Sequence, residues 1–176
     1  MDKPRGNIYL VGLMGAGKTT VGRPLARHLG LRFIDTDREI ELRTGVSIPT
    51  IFEIEGEEGF RKRESRVIAD ISGKGNRVVA TGGGSVLRGE NRINMRARGL
   101  VIYLKVSPQI LWERMRHDRN RPLLQVADPL PELSRLFAAR DPLYREIADI
   151  IMDEGQMGVH GVLQHLLEEL SKRWNS

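Results

Sequence analysis

The sequence predicts an α/β fold in which a parallel sheet is covered by helices on both faces. Three observations carry this expectation. Short apolar runs alternate with segments of helical period along the whole chain. The first apolar run passes directly into a glycine-rich loop and then an amphipathic helix. The composition, 176 residues with 40% hydrophobic and 29% charged, is that of a single domain over residues 1–176 with enough apolar side chains for a core.

The elements follow in order. Asn7–Val11 is a β-rich run that stops at Gly12, and Lys18–Leu29 places Val21, Leu25, Ala26 and Leu29 at helical spacing. Residues 32–34 form a second strand closed by Asp35, and 38–43 a short helix ending before Gly45. Residues 47–52 and 57–71 read as two further helical stretches. The third strand, 77–81, is stopped by Gly82, Gly83 and Gly84. Residues 100–106 are the fourth strand. Pro108–Met115 opens a helix, with its proline tolerated in the first turn. Residues 131–147 are helical, 149–152 are a fifth strand, and Val159–Trp174 is the last helix. Between the helix that Pro108–Met115 opens and the one at 131–147 lies a charged, weakly periodic excursion, 117–129, containing Pro122 and Pro129. It is either a plain surface loop or a mobile lid, and its arginines favour the lid.

Composition narrows the function. Cysteine is absent, which excludes disulfides and thiolate metal sites. No apolar run approaches the roughly 20 residues of a membrane span. The first six residues lack the apolar core of a secretion signal, so a cytoplasmic protein is expected. The net charge of +5 is compatible with nucleic acid or with anionic small molecules. The arginines are scattered, with concentrations at 61–66 and 114–121, and aromatics make up only 5%. Stacking platforms for bases are therefore scarce, and small polyanionic ligands are the better expectation.

Gly12-Leu13-Met14-Gly15-Ala16-Gly17-Lys18-Thr19 matches G-x-x-x-x-G-K-[ST] at every fixed position. It lies between a strand and a helix, which is the context the motif requires. Such a loop curls so that successive backbone N–H groups point at phosphate oxygens, and the helix N-terminus adds positive potential. Lys18 would reach the β- and γ-phosphates, and the Thr19 hydroxyl could ligate magnesium. The loop indicates a nucleoside triphosphate. Hydrolysis, switching and phosphoryl transfer all remain open from it alone.

Asp35 and Asp37 stand at the end of the second strand, where ligands collect in such sheets. In an extended chain residues i and i+2 project to one side. One carboxylate could belong to a magnesium shell and the other could accept a hydroxyl proton or orient the alcohol. The competing explanation is a helix cap, with Thr36 or Asp37 capping a helix that begins near Arg38. No apolar strand ending in Asp is evident elsewhere, which shifts the metal role toward Asp35. The triple glycine permits close backbone approach to a ligand; the plainer alternative is a flexible turn.

Taken together, Gly12-Leu13-Met14-Gly15-Ala16-Gly17-Lys18-Thr19-Thr20, Asp35-Thr36-Asp37, Phe60-Arg61, Gly82-Gly83-Gly84, Arg121-Pro122-Leu123-Leu124 and Arg140-Asp141-Pro142-Leu143-Tyr144 resemble shikimate kinases in order and rough spacing. The resemblance covers nearly the whole chain. It implies a three-layer αβα P-loop NTPase fold with sheet order 2-3-1-4-5, a mobile lid over about 113–128 and a substrate-binding region over about 35–64. It implies ATP and shikimate as ligands, with Mg2+ as cofactor. By the same resemblance Gly15, Ala16, Gly17, Lys18, Thr19 and Thr20 bind ATP, with Arg121 closing on the phosphates. Arg114 packs on adenine and Gln156 lies in the adenine-side loop. Thr19 and Asp35 associate with the metal. Asp37 grips the reacting hydroxyl, Arg61 and Arg140 bind the substrate carboxylate, and Gly83 contacts ring hydroxyls. Lys18, Asp37 and Arg121 are the implied catalytic residues. The segment 153–158 lacks the asparagine and proline that some relatives carry there.

The chemistry agrees with what these residue types do. A carboxylate is best gripped by bidentate arginine, and a transferring phosphoryl needs charge stabilisation more than covalent help. For Arg61 the alternative is a surface ion pair on a helix. Arg140 stands within a turn signal, Arg140-Asp141-Pro142. Two rival functions make different demands. A gluconate or nucleoside monophosphate kinase would not need this set of arginines and glycines. A ligand sensor fused to a DNA-binding module would carry an N-terminal helix-turn-helix and broken catalytic positions, whereas Lys18, Asp35 and Asp37 are intact. Nothing in the sequence demands more than a monomer.

Overall fold

In the computed structural model, described here for residues 6–116, 128–153 and 157–174, five parallel strands run in the order β2-β3-β1-β4-β5. They are β1 (Asn7–Val11), β2 (Arg32–Asp35), β3 (Arg77–Ala80), β4 (Gly99–Lys105) and β5 (Ile150–Asp153). The helices are α1 (Lys18–Leu29), α2 (Thr36–Thr44), α3 (Ile48–Ser72), α4 (Gly89–Arg98), α5 (Pro108–Met115), α6 (Leu130–Ile147) and α7 (Val159–Trp174). The expected sheet order is the observed one.

The central strand explains the packing. Every residue of β1 is buried, because β3 and β4 flank it and helices cover both faces. Its register sets Leu10 opposite Ala80 on β3 and opposite Ile102 on β4. Helices α1 and α7 pack together, while α3, α4 and α6 form a second group with contacts to β4. The polar residue that opens β1 is fully satisfied. Asn7 donates to Tyr9 Oη and to the Ile71 carbonyl, and accepts from Arg77 N. The sheet is thus closed by hydrogen bonds at one end, and its strand C-termini are left for the site at the other.

Several boundaries differ from expectation. Helix α2 begins at Thr36, two residues early, because the Asp35 carboxylate accepts from the backbone N–H of Asp37 and Arg38 at 3.0 and 3.2 Å. Such a cap contributes about 1 kcal/mol. The cap is therefore Asp35, not Thr36 or Asp37. The two stretches 47–52 and 57–71 are one element, α3, bent at Gly56 (φ 71°, ψ −179°). That backbone conformation is open to glycine and costly for other residues.

Arg140 lies in the helical interior of α6, not in a turn. Pro142 sits inside the same helix and is accommodated. Helix α4 was not anticipated. Its sequence, GENRINMRAR, is mostly polar; Ile93 is exposed and only Asn91 and Met95 are buried. A helix with so narrow an apolar stripe leaves little periodic signal.

Candidate active site

Strands β1, β2 and β3 deliver the loops that line a cavity of about 280 Å3. Its walls are Met14, Gly15, Gly17, Lys18, Thr19 and Thr20 from the first loop, Asp35 and Asp37 from the β2–α2 junction, and residues 80–83. The strand C-terminal location is where an open parallel sheet collects ligands.

The first wall is built from backbone. The loop between β1 and α1 turns through positive φ at Gly15 (78°) and Gly17 (94°). A side chain at Gly15 would be strained and would also meet Met115 Sδ at 2.7 Å. Helix α5 is thereby seated directly on the loop, and Arg114 Nη1 reaches the Gly15 carbonyl at 3.5 Å. Lys18 Nζ donates to the carbonyls of Gly12 and Leu13, the latter at 2.9 Å. Its ammonium group is thus held against the loop that curls around the cavity.

The second wall combines a hydroxyl and two carboxylates. Thr19 donates to Asp35 Oδ2 at 3.0 Å, while Asp35 Oδ1 is engaged as the α2 cap. Asp37, the second residue of α2, reaches the same cavity although the chain there is helical. The extended same-side geometry expected for the pair is therefore not how they meet. The carboxyl of Asp37 is pushed up from its ordinary pKa, chiefly by burial and next by the Asp35 charge, with Lys18 and Arg61 pulling it down. Among the described residues no three His, Cys, Asp or Glu side chains gather as a metal cluster. One carboxylate and one hydroxyl leave room for water, a donor set of hard oxygens that fits magnesium.

The third wall is the triple glycine, and here the packing is specific. Thr36 is fully buried and accepts from Gly82 N at 3.0 Å, which ties this loop to the start of α2. A Cβ on Gly82 would lie 2.8 Å from Asp37 Oδ1 and 2.9 Å from Glu64 Oε2. On Gly83 it would lie 3.4 Å from Arg140 Nη1, and on Gly84 2.6 Å from Arg61 Nη1. All three φ angles are ordinary, so what these glycines supply is space. That space is filled by charged side chains from α2, α3 and α6.

Arg61 is not a surface residue. Its side chain is 13% exposed and Nη1 donates to Glu64 Oε1 at 2.9 Å, with Glu64 itself at 0%. Arg61 also lies over the Phe60 ring, 5.1 Å from its centroid. Glu64 Oε2 is buried and has no hydrogen-bond partner among the described residues. Burial pushes the Glu64 carboxyl up, Arg61 opposes, Asp37 adds to the rise and Arg140 lowers it. Glu64 was missed by reading i,i+3 charge pairs as solvated. The available signal was its place on the apolar stripe of α3, with Phe60, Val67, Ile68 and Ile71.

Tyr144 was also passed over. Its buried hydroxyl donates to the Gly83 carbonyl at 2.5 Å, one helical turn beyond Arg140. Beyond the first cavity, a second of about 660 Å3 is lined by Ser107, Gln109, Ile110, Glu113, Arg114, Met157 and Gly158. Arg114 touches both regions. Arg121, Gln156 and residues 117–127 of the expected lid lie outside the described residues.

A phosphate-binding loop beside a hydroxyl–carboxylate pair, with arginines gathered at the far side, defines a nucleoside-triphosphate-dependent phosphotransferase acting on a small acidic acceptor. Comparison with known proteins makes this particular. The shikimate kinase family model matches residues 14–171. A shikimate kinase of Dechloromonas aromatica (strain RCB) is 60% identical over 168 residues, covering 96% of this chain and 92% of that protein. One of Thiobacillus denitrificans (strain ATCC 25259 / T1) is 58% identical, covering 94% and 91%. Among solved structures, the Acinetobacter baumannii shikimate kinase in complex with shikimate superposes with a TM-score of 0.91 at 46% identity, covering 97% and 96%. The Aquifex aeolicus VF5 shikimate kinase follows at 0.83 and 39%, covering 95% and 97%. The chain belongs to the shikimate kinase family.

Proposed function

We infer that this chain transfers the γ-phosphoryl group of ATP to the 3-hydroxyl of shikimate, giving shikimate 3-phosphate and ADP on the pathway to chorismate and the aromatic amino acids. Family membership across nearly the whole chain supports the reaction. The observation that carries it to this site is the convergence of Asp37, Arg61 and Arg140 on the triple glycine beside the phosphate-binding loop.

The roles proposed are those the family resemblance implies, and for the described residues the geometry supports them. The backbone of residues 15–20 and Lys18 hold the ATP phosphates, with α1 pointing its N-terminus at them. The Arg61 and Arg140 guanidinium groups pair with the substrate carboxylate, the bidentate match arginine makes best. Glu64 keeps Arg61 aimed from below. The Gly83 backbone meets ring hydroxyls. Asp37 accepts the hydrogen bond of the reacting hydroxyl and takes its proton as the oxygen bonds to phosphorus. Its raised pKa brings the carboxylate closer to the basicity that proton removal near neutrality requires. Thr19 and Asp35 Oδ2 would hold Mg2+, which supplies charge neutralisation at the phosphate oxygens. Arg121 is assigned to charge stabilisation at the transferring group, and Arg114 and Gln156 to the adenine side. The larger cavity beside Arg114 is of a size to take an adenosine.

The substrate-binding region is assigned to about 35–64, the lid to about 113–128, and the whole of 1–176 to one domain. Every residue in this scheme comes from one chain, so a monomer suffices, with no nucleic acid or membrane partner. Among the described residues no helix is long and apolar enough to cross a membrane. A cytoplasmic location follows from the ATP requirement and the biosynthetic role.

The test is ADP release with ATP, magnesium and shikimate, run beside gluconate, AMP and no acceptor. Turnover with shikimate alone is expected. Turnover with gluconate or AMP instead would overturn the carboxylate assignment of the arginines.

A further inference from the structure

Four side chains outside the roles above form one connected device behind the triple glycine. Tyr144 and Arg140 are one turn apart on α6 and so share a face of the helix. Arg140 Nη1 approaches the Cβ position of Gly83, and the Tyr144 hydroxyl donates to the Gly83 carbonyl at 2.5 Å. Burial raises the pKa of this hydroxyl, and the nearby Arg140 guanidinium partly offsets the rise. Its ring is fully buried and packs on Tyr103 of β4, with centroids 4.9 Å apart. Tyr103 in turn donates to Asp141 Oδ1 at 2.7 Å, and Asp141 Oδ2 accepts from Arg145 at 2.8 Å. The tyrosine is therefore clamped from below and presents a single oxygen, at a fixed place, to the loop and the arginine together.

Resting on the shikimate reading of this site, we propose that Tyr144 is a positioning residue. Its hydroxyl locks the Arg140 guanidinium and the Gly83 backbone in one register, so that the substrate carboxylate and ring hydroxyls are met simultaneously. A loop of three glycines has the largest conformational freedom a chain can have, and ordering it is entropically costly. Three anchors hold it here: Thr36 to Gly82 N at one end, the 3-10 turn at Ser85–Leu87 at the other, and Tyr144 at the middle carbonyl. The middle anchor is the only one of the three made by the helix that also carries a substrate arginine. Its loss leaves Gly83 and Arg140 free to move independently, which weakens acceptor binding while the ATP side, built on β1 and α1, is untouched.

The experiment compares wild type, Tyr144→Phe and Tyr103→Phe by steady-state kinetics in both substrates, with thermal melting of each. Tyr144→Phe removes one oxygen and keeps the ring stack. A rise of about tenfold in KM for shikimate is expected, with KM for ATP within about twofold of wild type. Tyr103→Phe removes a hydroxyl from the same stack without touching Gly83, and is expected to leave the ratio of the two KM values unchanged. An unchanged shikimate KM in Tyr144→Phe overturns the proposal. So does an equal loss in both substrates that Tyr103→Phe reproduces, because that would make the tyrosine a structural prop only. Failure of the shikimate reading is separate and would be visible in the wild type, as absence of turnover with shikimate.

Discussion

The two sides of the cavity are made by opposite means. The nucleotide side is eight consecutive residues whose backbone does most of the work: three glycines at positive φ, a helix N-terminus, and one lysine folded onto the loop carbonyls. The acceptor side is assembled from α2, α3, the 82–84 loop and α6, and consists of buried or half-buried charges whose meeting requires three glycines with no side chain in the way. The lesson concerns where specificity resides. A phosphate chain is common to many ligands and is recognised by a local, transferable unit. A particular hydroxy acid needs several groups at fixed distances, and only the folded chain can supply them.

If this division is right, substitutions on one side should leave the other side's kinetic constants alone. The largest effect is expected from the residue at their junction. Asp37→Asn should lower kcat by about 10²–10⁴-fold, the usual contribution of a positioned base, with ATP affinity retained. Near-normal turnover would remove Asp37 from the chemistry. Next, Arg61→Lys and Arg140→Lys should each raise KM for shikimate by about 10–100-fold, since lysine keeps the charge but loses the planar fork. A parallel rise in KM for ATP would break the comparison.

The glycines sharpen it further. Gly84→Ala places a methyl group against the Arg61 guanidinium, and Gly15→Ala forces a positive φ while crowding Met115. The first should raise KM for shikimate by about tenfold and spare ATP; the second should do the reverse. Equal effects of both variants on both substrates would mean that the two sides are mechanically coupled.

The smallest effect is one of stability. The pKa of the Glu64 carboxyl is raised in the folded protein by burial, so protonation there is easier than in the unfolded chain. The stability it contributes is present below the ordinary carboxylate range and lost as pH rises through the raised value. Glu64→Gln does not titrate. Its melting temperature relative to wild type should therefore improve as pH rises above the ordinary carboxylate range, measured without ligands. A pH-independent difference would show that Arg61 fully compensates for the burial.

Much of this was legible before any coordinates. The strand at Asn7–Val11, the loop 12–19 and the helix Lys18–Leu29 declare themselves because their signals are contiguous: apolar run, glycine spacing, helical period. All five strands were found, with no boundary more than one residue off; β1, buried on both faces, is a plain apolar run. Helix α4 was not found, because a helix that buries so little has almost no period to detect. Resemblance carried Arg61, Arg140 and Gly83, whereas the residues alone left Arg61 looking like one half of a surface pair. Glu64 and Tyr144 were missed. Each is a polar residue turned inward: Tyr144 toward Gly83 across the fold, and Glu64 toward its near neighbour Arg61, which the fold shields along with it.

By itself, then, the sequence determined the alternation of strands and helices, the phosphate-binding loop and the presence of carboxylates at the end of β2. These depend on interactions within about ten residues of chain, and such interactions are written in local spacing. Only the tertiary structure decided that Asp35 is both cap and Thr19 partner, that Arg61 and Glu64 are buried, and that Tyr144 holds Gly83 across 61 positions. Those outcomes depend on desolvation and on distances between separate elements, and neither exists until the sheet has closed and the helices have docked on it.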